Sequence, residues 1–158
     1  MDTQTFVRER VQTAYWVHDW NCARTTLQIL GARLGVHVND QVLDAATGMH
    51  GAGCYGAQCG LVEGALMFMG IMGPERGLSD DAVGALCYDF AEAFEARFGS
   101  LLCRELRPEG FEPDNPPHLC EDLTRRAILF DMDFLARAFA GEASLQPTSV
   151  LSDRTQER

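Results

Sequence analysis

The stretch Ala57-Gln58-Cys59-Gly60-Leu61-Val62-Glu63-Gly64-Ala65-Leu66 sets a thiol directly before small residues and an apolar run. It predicts a helix that opens after Cys59, runs to about Met72 and stops at Gly73-Pro74. Just upstream, the thirteen residues from Gly48 to Gly60 hold five glycines, which reads as a loop opening into that helix. Glycine in a helix costs about 1 kcal/mol relative to alanine. Gly60, Gly64 and Gly70 therefore imply close backbone packing, or a ligand held near the main chain.

Working outward, every ordered segment reads as helix. Phe6, Val7, Val11, Ala14 and Tyr15 recur at helical spacing within residues 3–17. Asn21 is an N-cap for a helix from Cys22 to Leu34, and Gly35 suits its C′ position. A short helix is expected over residues 39–46. Ser79 caps a long one over 80–98, with Asp80 and Asp81 complementing its dipole and Gly99 stopping it. A short turn or helix carries Cys103, a proline-rich acidic loop spans 108–117, and a last helix runs over roughly 118–139. No alternating run with hairpin turns and no internal repeat is found. The predicted fold class is all-α: a single-domain bundle of five or six helices over residues 1–140, with a polar, flexible tail over 141–158.

Bulk properties agree with one soluble domain. The chain has 158 residues, 46% hydrophobic and 23% charged, long enough to fold without a disulfide or a metal. No apolar run reaches the length of about 18 residues that a membrane helix needs, so no membrane insertion is expected. The start, Met1-Asp2-Thr3-Gln4-Thr5, has neither a basic nor an apolar region of the secretory kind, so a cytoplasmic location is expected. Thiols stay reduced there, which favours metal or redox chemistry over a disulfide framework. Net charge is −10, all 13 basic residues are Arg, and no basic patch is seen. This excludes a lysine nucleophile and gives no expectation of nucleic-acid binding.

Chemistry concentrates in six cysteines. Cys22, Cys59 and Cys120 fall near predicted helix starts, where the N-terminal field lowers a thiol's pKa. Cys103 sits in the short element between the last two long helices. Cys87 lies mid-helix in register with Phe90 and Phe94 and reads as core. Cys54 has no standard zinc spacing to Cys59, although the two could form a local redox pair. CxxC, zinc-ribbon and CxxCH patterns are absent. Any four-thiol site must therefore be assembled by tertiary folding.

Other candidates are weaker. His50 and His118 could serve as outer donors or alternative ligands, although a solvated or capping role is the commoner fate of such residues, as for His18 and His37. Glu63, one turn past Cys59, could tune the thiol; a solvated face is the commoner reading. Tyr15, Trp16 and Trp20 could wall off Cys22, or simply pack. Met67, Met69 and Met72 read as core filling.

Taken in order, Asn21-Cys22-Ala23, the glycine-rich loop, Cys59 through Leu66, Phe98-Gly99 with Cys103, and Cys120 resemble the C_GCAxxG_C_C family of redox proteins. That family is defined by four cysteines in this order and a Cys-Gly-Ala-x-x-Gly core. The resemblance covers about residues 15 to 138. It implies that Cys22, Cys59, Cys103 and Cys120 are the family's cysteines and metal ligands, and that Gly60 and Gly64 are its core, cofactor-binding glycines. Leu61 departs from the family's Ala. Cys54 and Cys87 are extras, Cys54 being an additional candidate ligand. A related domain in the split-Soret cytochrome is associated with an iron–sulfur centre. The resemblance thus implies a 2Fe–2S cluster or another thiolate-bound metal, without haem, in a redox-active or electron-transfer accessory protein. A redox partner protein is then expected, and homodimerisation is open. The alternatives are thiol–disulfide or metal-handling chemistry without a permanent cluster, and a zinc-stapled structural module.

Overall fold

A central helix, α4 (Gly60–Glu75), buries Leu61, Val62, Ala65, Phe68, Met69 and Met72 along one broad face. That face must be covered, and other helices of the chain pack against it. The computed structural model describes residues 1–140; the tail expected over 141–158 lies outside the described residues. The other helices are α1 (Thr3–Trp16), α2 (Cys22–Leu34), α3 (Asp40–Ala45), α5 (Asp80–Phe98), α6 (Cys103–Leu106) and α7 (Glu121–Ala138). A 3-10 turn follows α3 at Ala46–Gly48. Among the described residues there is no strand, only an isolated antiparallel bridge between Gln58 and Leu102. The fold is an all-α single domain, as the sequence predicts. Among the described residues no helix is long and apolar enough to cross a membrane.

Caps fix where the helices begin and end. Asp2, Asn21 and Ser79 accept from the backbone N–H groups of Thr5, Arg24 and Ala82 at 3.0, 2.9 and 3.3 Å. Gly35 and Gly99 take left-handed φ values of 70° and 93° at the ends of α2 and α5. Two boundaries differ from expectation. Pro74 lies inside the last turn of α4, which runs on to Glu75. The last helix starts at Glu121 rather than His118, because His118 has a φ of 61° that no right-handed helix accepts.

Packing follows the small residues and the rings. α2 lies against α4, where a Cβ on Gly64 would sit 2.7 Å from Ala23 O and 3.0 Å from Thr26 Cβ. α5 and α7 are joined by phenylalanines. Phe90, Phe94 and Phe98 meet Phe130 and Phe134 at centroid separations of 5.3 to 5.9 Å, mostly edge to face. Cys87 is half-buried against this core, and Met69 and Met72 are buried within it, which agrees with a packing role.

One buried group is at odds with its surroundings. Asp131 is 0% exposed, and neither carboxylate oxygen has a hydrogen-bond partner. Burial pushes its carboxyl well above the usual range. The folded state therefore keeps a proton that the unfolded chain releases above about pH 4. Stability is greatest below that pH and is lost as pH rises toward the folded value. Asp131→Asn keeps the size and removes the charge. It is expected to gain about 1–3 kcal/mol near neutral pH and less at pH 4, read by urea denaturation. Equal gains at both pH values would contradict this account.

Candidate thiol centre

Each family-pattern cysteine stands at a helix start. Cys22 and Cys103 are the first residues of α2 and α6, while Cys59 and Cys120 are the N-cap residues of α4 and α7. Two short segments then bring Cys59 and Cys103 together. Residues 56–59 run antiparallel to residues 101–104: the Cys59 N–H donates to Leu101 O (2.8 Å), the Cys103 N–H to Ala57 O (2.7 Å) and the Arg104 N–H to Gly56 O (3.3 Å). Asn21 performs the same service for Cys22. Its Oδ1 caps α2, and its Nδ2 donates to Ala46 O (3.0 Å) and Thr47 O (2.7 Å) and lies 3.2 Å from His50 Nδ1.

The glycines make room for sulfur. A Cβ on Gly60 would collide with Cys22 Sγ, and one on Gly51 would lie 2.8 Å from Cys103 Cβ and 3.0 Å from its Sγ. Gly60 thus touches the thiol group directly, whereas Gly64 only seats α2 on α4. Leu61 is fully buried in the core. The glycine-rich loop contains more order than its composition suggests. Gly51, Ala52, Gly53 and Cys54 carry consecutive left-handed φ values of 67°, 54°, 64° and 69°, a single left-handed turn. For Ala52 and Cys54 that conformation costs roughly 1–2 kcal/mol each. The Gly51 N–H bond to Gln58 O (3.1 Å) and the Gly56 N–H bond to Gly51 O (3.0 Å) hold it.

Cys22, Cys54, Cys103 and Cys120 line one cavity of about 130 Å³, together with Tyr15, Trp20, His50, Arg107, Phe111 and His118. Cys59 is 3% exposed and stands behind the wall, within hydrogen-bonding reach of both Cys103 and Cys22. Arg107 donates from Nε to Gly110 O at 2.6 Å and lies over the Phe111 ring at 4.8 Å. His118 stacks on Tyr15 at 5.0 Å and sits 3.8 Å from Asp19 Oδ1. The Tyr15 hydroxyl is 2.6 Å from Thr124 Oγ1. Trp16 stays outside, half-exposed and bonded to Glu121. His18, His37, Glu63 and Cys87 do not line the cavity. Among the described residues no three His, Cys, Asp or Glu side chains gather as a group that could hold a metal ion.

Electrostatics here differ from the helix-start expectation. For Cys59, a hydrogen bond from Cys103 favours the thiolate. The bond to Cys22, burial and the Cys22 charge outweigh it and push the thiol up to about 12. Cys103 is raised by its bond to Cys59, by burial and by the Cys59 charge, against the pull of Arg107. Burial raises Cys120, again opposed by Arg107. Burial, then the Cys22 charge, holds the Tyr15 phenol well above its ordinary value. A helix N-terminus alone lowers a thiol pKa; desolvation and neighbouring thiols outweigh that field here. Arg107 and Phe111 were not foreseen. The one available signal was that Arg107 falls four residues past Cys103, on the same side of a helical turn.

Fold and site together define a small helical protein with a thiol centre assembled from distant segments. The chain belongs to the family described as "Putative redox-active protein (C_GCAxxG_C_C)", whose model matches residues 20–132. No curated protein and no solved structure gives a significant match.

Proposed function

We infer that Cys22, Cys59, Cys103 and Cys120 hold a soft, thiolate-ligated metal centre, an iron–sulfur cluster of the 2Fe–2S kind, and that the protein exchanges electrons with a partner protein. The observation that carries this reading is the convergence of three helix-start thiols, Cys22, Cys103 and Cys120, on one small cavity, with the fourth, Cys59, buried behind its wall. Its volume, about 130 Å³, falls below the roughly 300–1,000 Å³ of organic ligand pockets. It suits a centre of a few atoms. The donors are soft sulfur, as iron–sulfur clusters and other thiophilic metals require.

Such a cluster, when bound, supplies one-electron transfer. The chain's own residues do the rest. Cys59, Cys103 and Cys120 give up protons that neighbouring thiols and burial otherwise hold on them, so loading releases protons and is favoured by higher pH. Arg107 offsets part of the thiolate charge. Tyr15 and Trp20 wall the cavity and limit water. Asn21 fixes Cys22 and His50 relative to each other. With a net charge of −10, the chain suits a basic electron partner.

A second reading has its own support. Cys59 reaches both Cys22 and Cys103, so a dithiol–disulfide couple could operate without metal. Anaerobic purification, an ultraviolet–visible spectrum and metal analysis of the same sample separate the two. Brown protein with stoichiometric iron is the expected result. Colourless protein without iron, from a preparation in which cluster loss is excluded, would overturn the cluster and leave the dithiol couple; zinc would point to a structural staple.

A further inference from the structure

Cys54 stands apart from the family pattern, yet it shares the cavity of Cys22, Cys103 and Cys120. It is the one exposed cysteine of the six. The left-handed turn Gly51–Cys54 holds it at the mouth. The other thiols differ in what occupies them. Cys103 and Cys22 are both engaged with Cys59. Cys120 is half-buried and lines the same cavity as Cys54. Arg107 lines the same space and places a cation beside any thiolate formed there.

We propose that Cys54 is the gateway thiol of this site: it exchanges with small disulfides of the glutathione type, and Cys120 resolves the mixed disulfide. In the first step the Cys54 sulfur, having given up its proton, attacks one sulfur of the small disulfide RSSR. A Cys54–S–S–R bond forms, the RS–SR bond breaks, and one RSH leaves carrying that proton. In the second step the Cys120 sulfur attacks Cys54. The Cys54–Cys120 bond forms, and the second RSH leaves with the Cys120 proton. Two protein thiols lose two electrons and one RSSR becomes two RSH. The buried thiols cannot open this sequence, since a substrate disulfide must be approached along its S–S axis from solvent.

The proposal rests on the redox reading of the thiols and not on metal. A Cys54–Cys120 disulfide and a centre held by Cys120 exclude each other, so the small disulfide would also discharge the centre.

The test treats the protein, as purified anaerobically and with its iron recorded, with oxidised glutathione. Samples are quenched by alkylation and read by intact and peptide mass. Wild type is expected to lose two thiols and yield a Cys54–Cys120 peptide. Cys120→Ser is expected to accumulate one glutathione adduct on Cys54. Cys54→Ser should react at least about tenfold more slowly, while Cys87→Ser, a thiol outside the cavity, should match wild type. Cys54 is exposed, so its serine variant is expected to keep the wild-type helical circular dichroism. Equal rates for Cys54→Ser and wild type, an adduct on another cysteine, or a different disulfide pair would overturn the proposal. The iron content before treatment tests the cluster and the peptide assignment after it tests the gateway, so the two can fail separately.

Discussion

Gly60→Ala is expected to destabilise the protein by at least about 3 kcal/mol and to destroy the thiol centre with it. A Cβ at Gly60 meets Cys22 Sγ, Met49 O at 2.5 Å and Ala23 N at 3.2 Å. Two of those three neighbours are backbone, on α2 and on the turn that Asn21 ties down. No rotamer change relieves them. Overpacking typically costs about 1–3 kcal/mol where side chains can adjust; here α2 must move off α4. The better helix propensity of alanine returns only about 1 kcal/mol. Gly70 provides the contrast within the same helix. It is exposed, and a Cβ there meets nothing within 4 Å, so Gly70→Ala should gain up to about 1 kcal/mol. Urea denaturation of the pair checks this. Equal stabilities would mean that Gly60 is not the contact on which Cys22 is seated.

This contrast marks how far the sequence could be read. Asn21, Ser79, Gly35 and Gly99 announce helix ends through local chemistry, and the structure has those ends there. The glycines after Cys59 signalled a close approach, which Gly60 and Gly64 make and the exposed Gly70 does not. What stayed hidden depends on contacts distant in sequence. The antiparallel bonding of residues 56–59 to 101–104 joins segments with no strand-like pattern. Arg107 enters the cavity only because α6 ends just before it and Gly110 anchors its Nε. The left-handed turn through Ala52 and Cys54 is sustained by bonds to Gln58 and Gly56, against local preference. Thiol ionisation followed the same rule: the helix start is visible in sequence, but the burial that overrides it is not.

Cys59→Ser is expected to remove the centre while leaving the fold. Serine nearly matches cysteine in size, and the backbone bond from residue 59 to Leu101 O remains available. Its hydroxyl, however, is a hard donor that stays protonated, so it cannot replace a soft thiolate ligand. Bound iron and visible absorption should fall by more than the roughly 10–100-fold that loss of an outer-shell partner brings. Helical circular dichroism should hold. A metal-independent readout comes from the thiol itself. Free cysteine ionises near 8.5, whereas Cys59 in the fold is pushed up to about 12. The folded protein thus retains a proton that the unfolded chain loses. The associated stability is complete below about pH 8.5 and declines as pH rises toward 12. Metal-free wild type should therefore weaken between pH 8 and pH 10 more than Cys59→Ser does. If the serine variant binds as much iron as wild type, Cys59 is not a ligand. If it also weakens with pH as wild type does, the buried thiol relay from Cys103 through Cys59 to Cys22 is wrong as well.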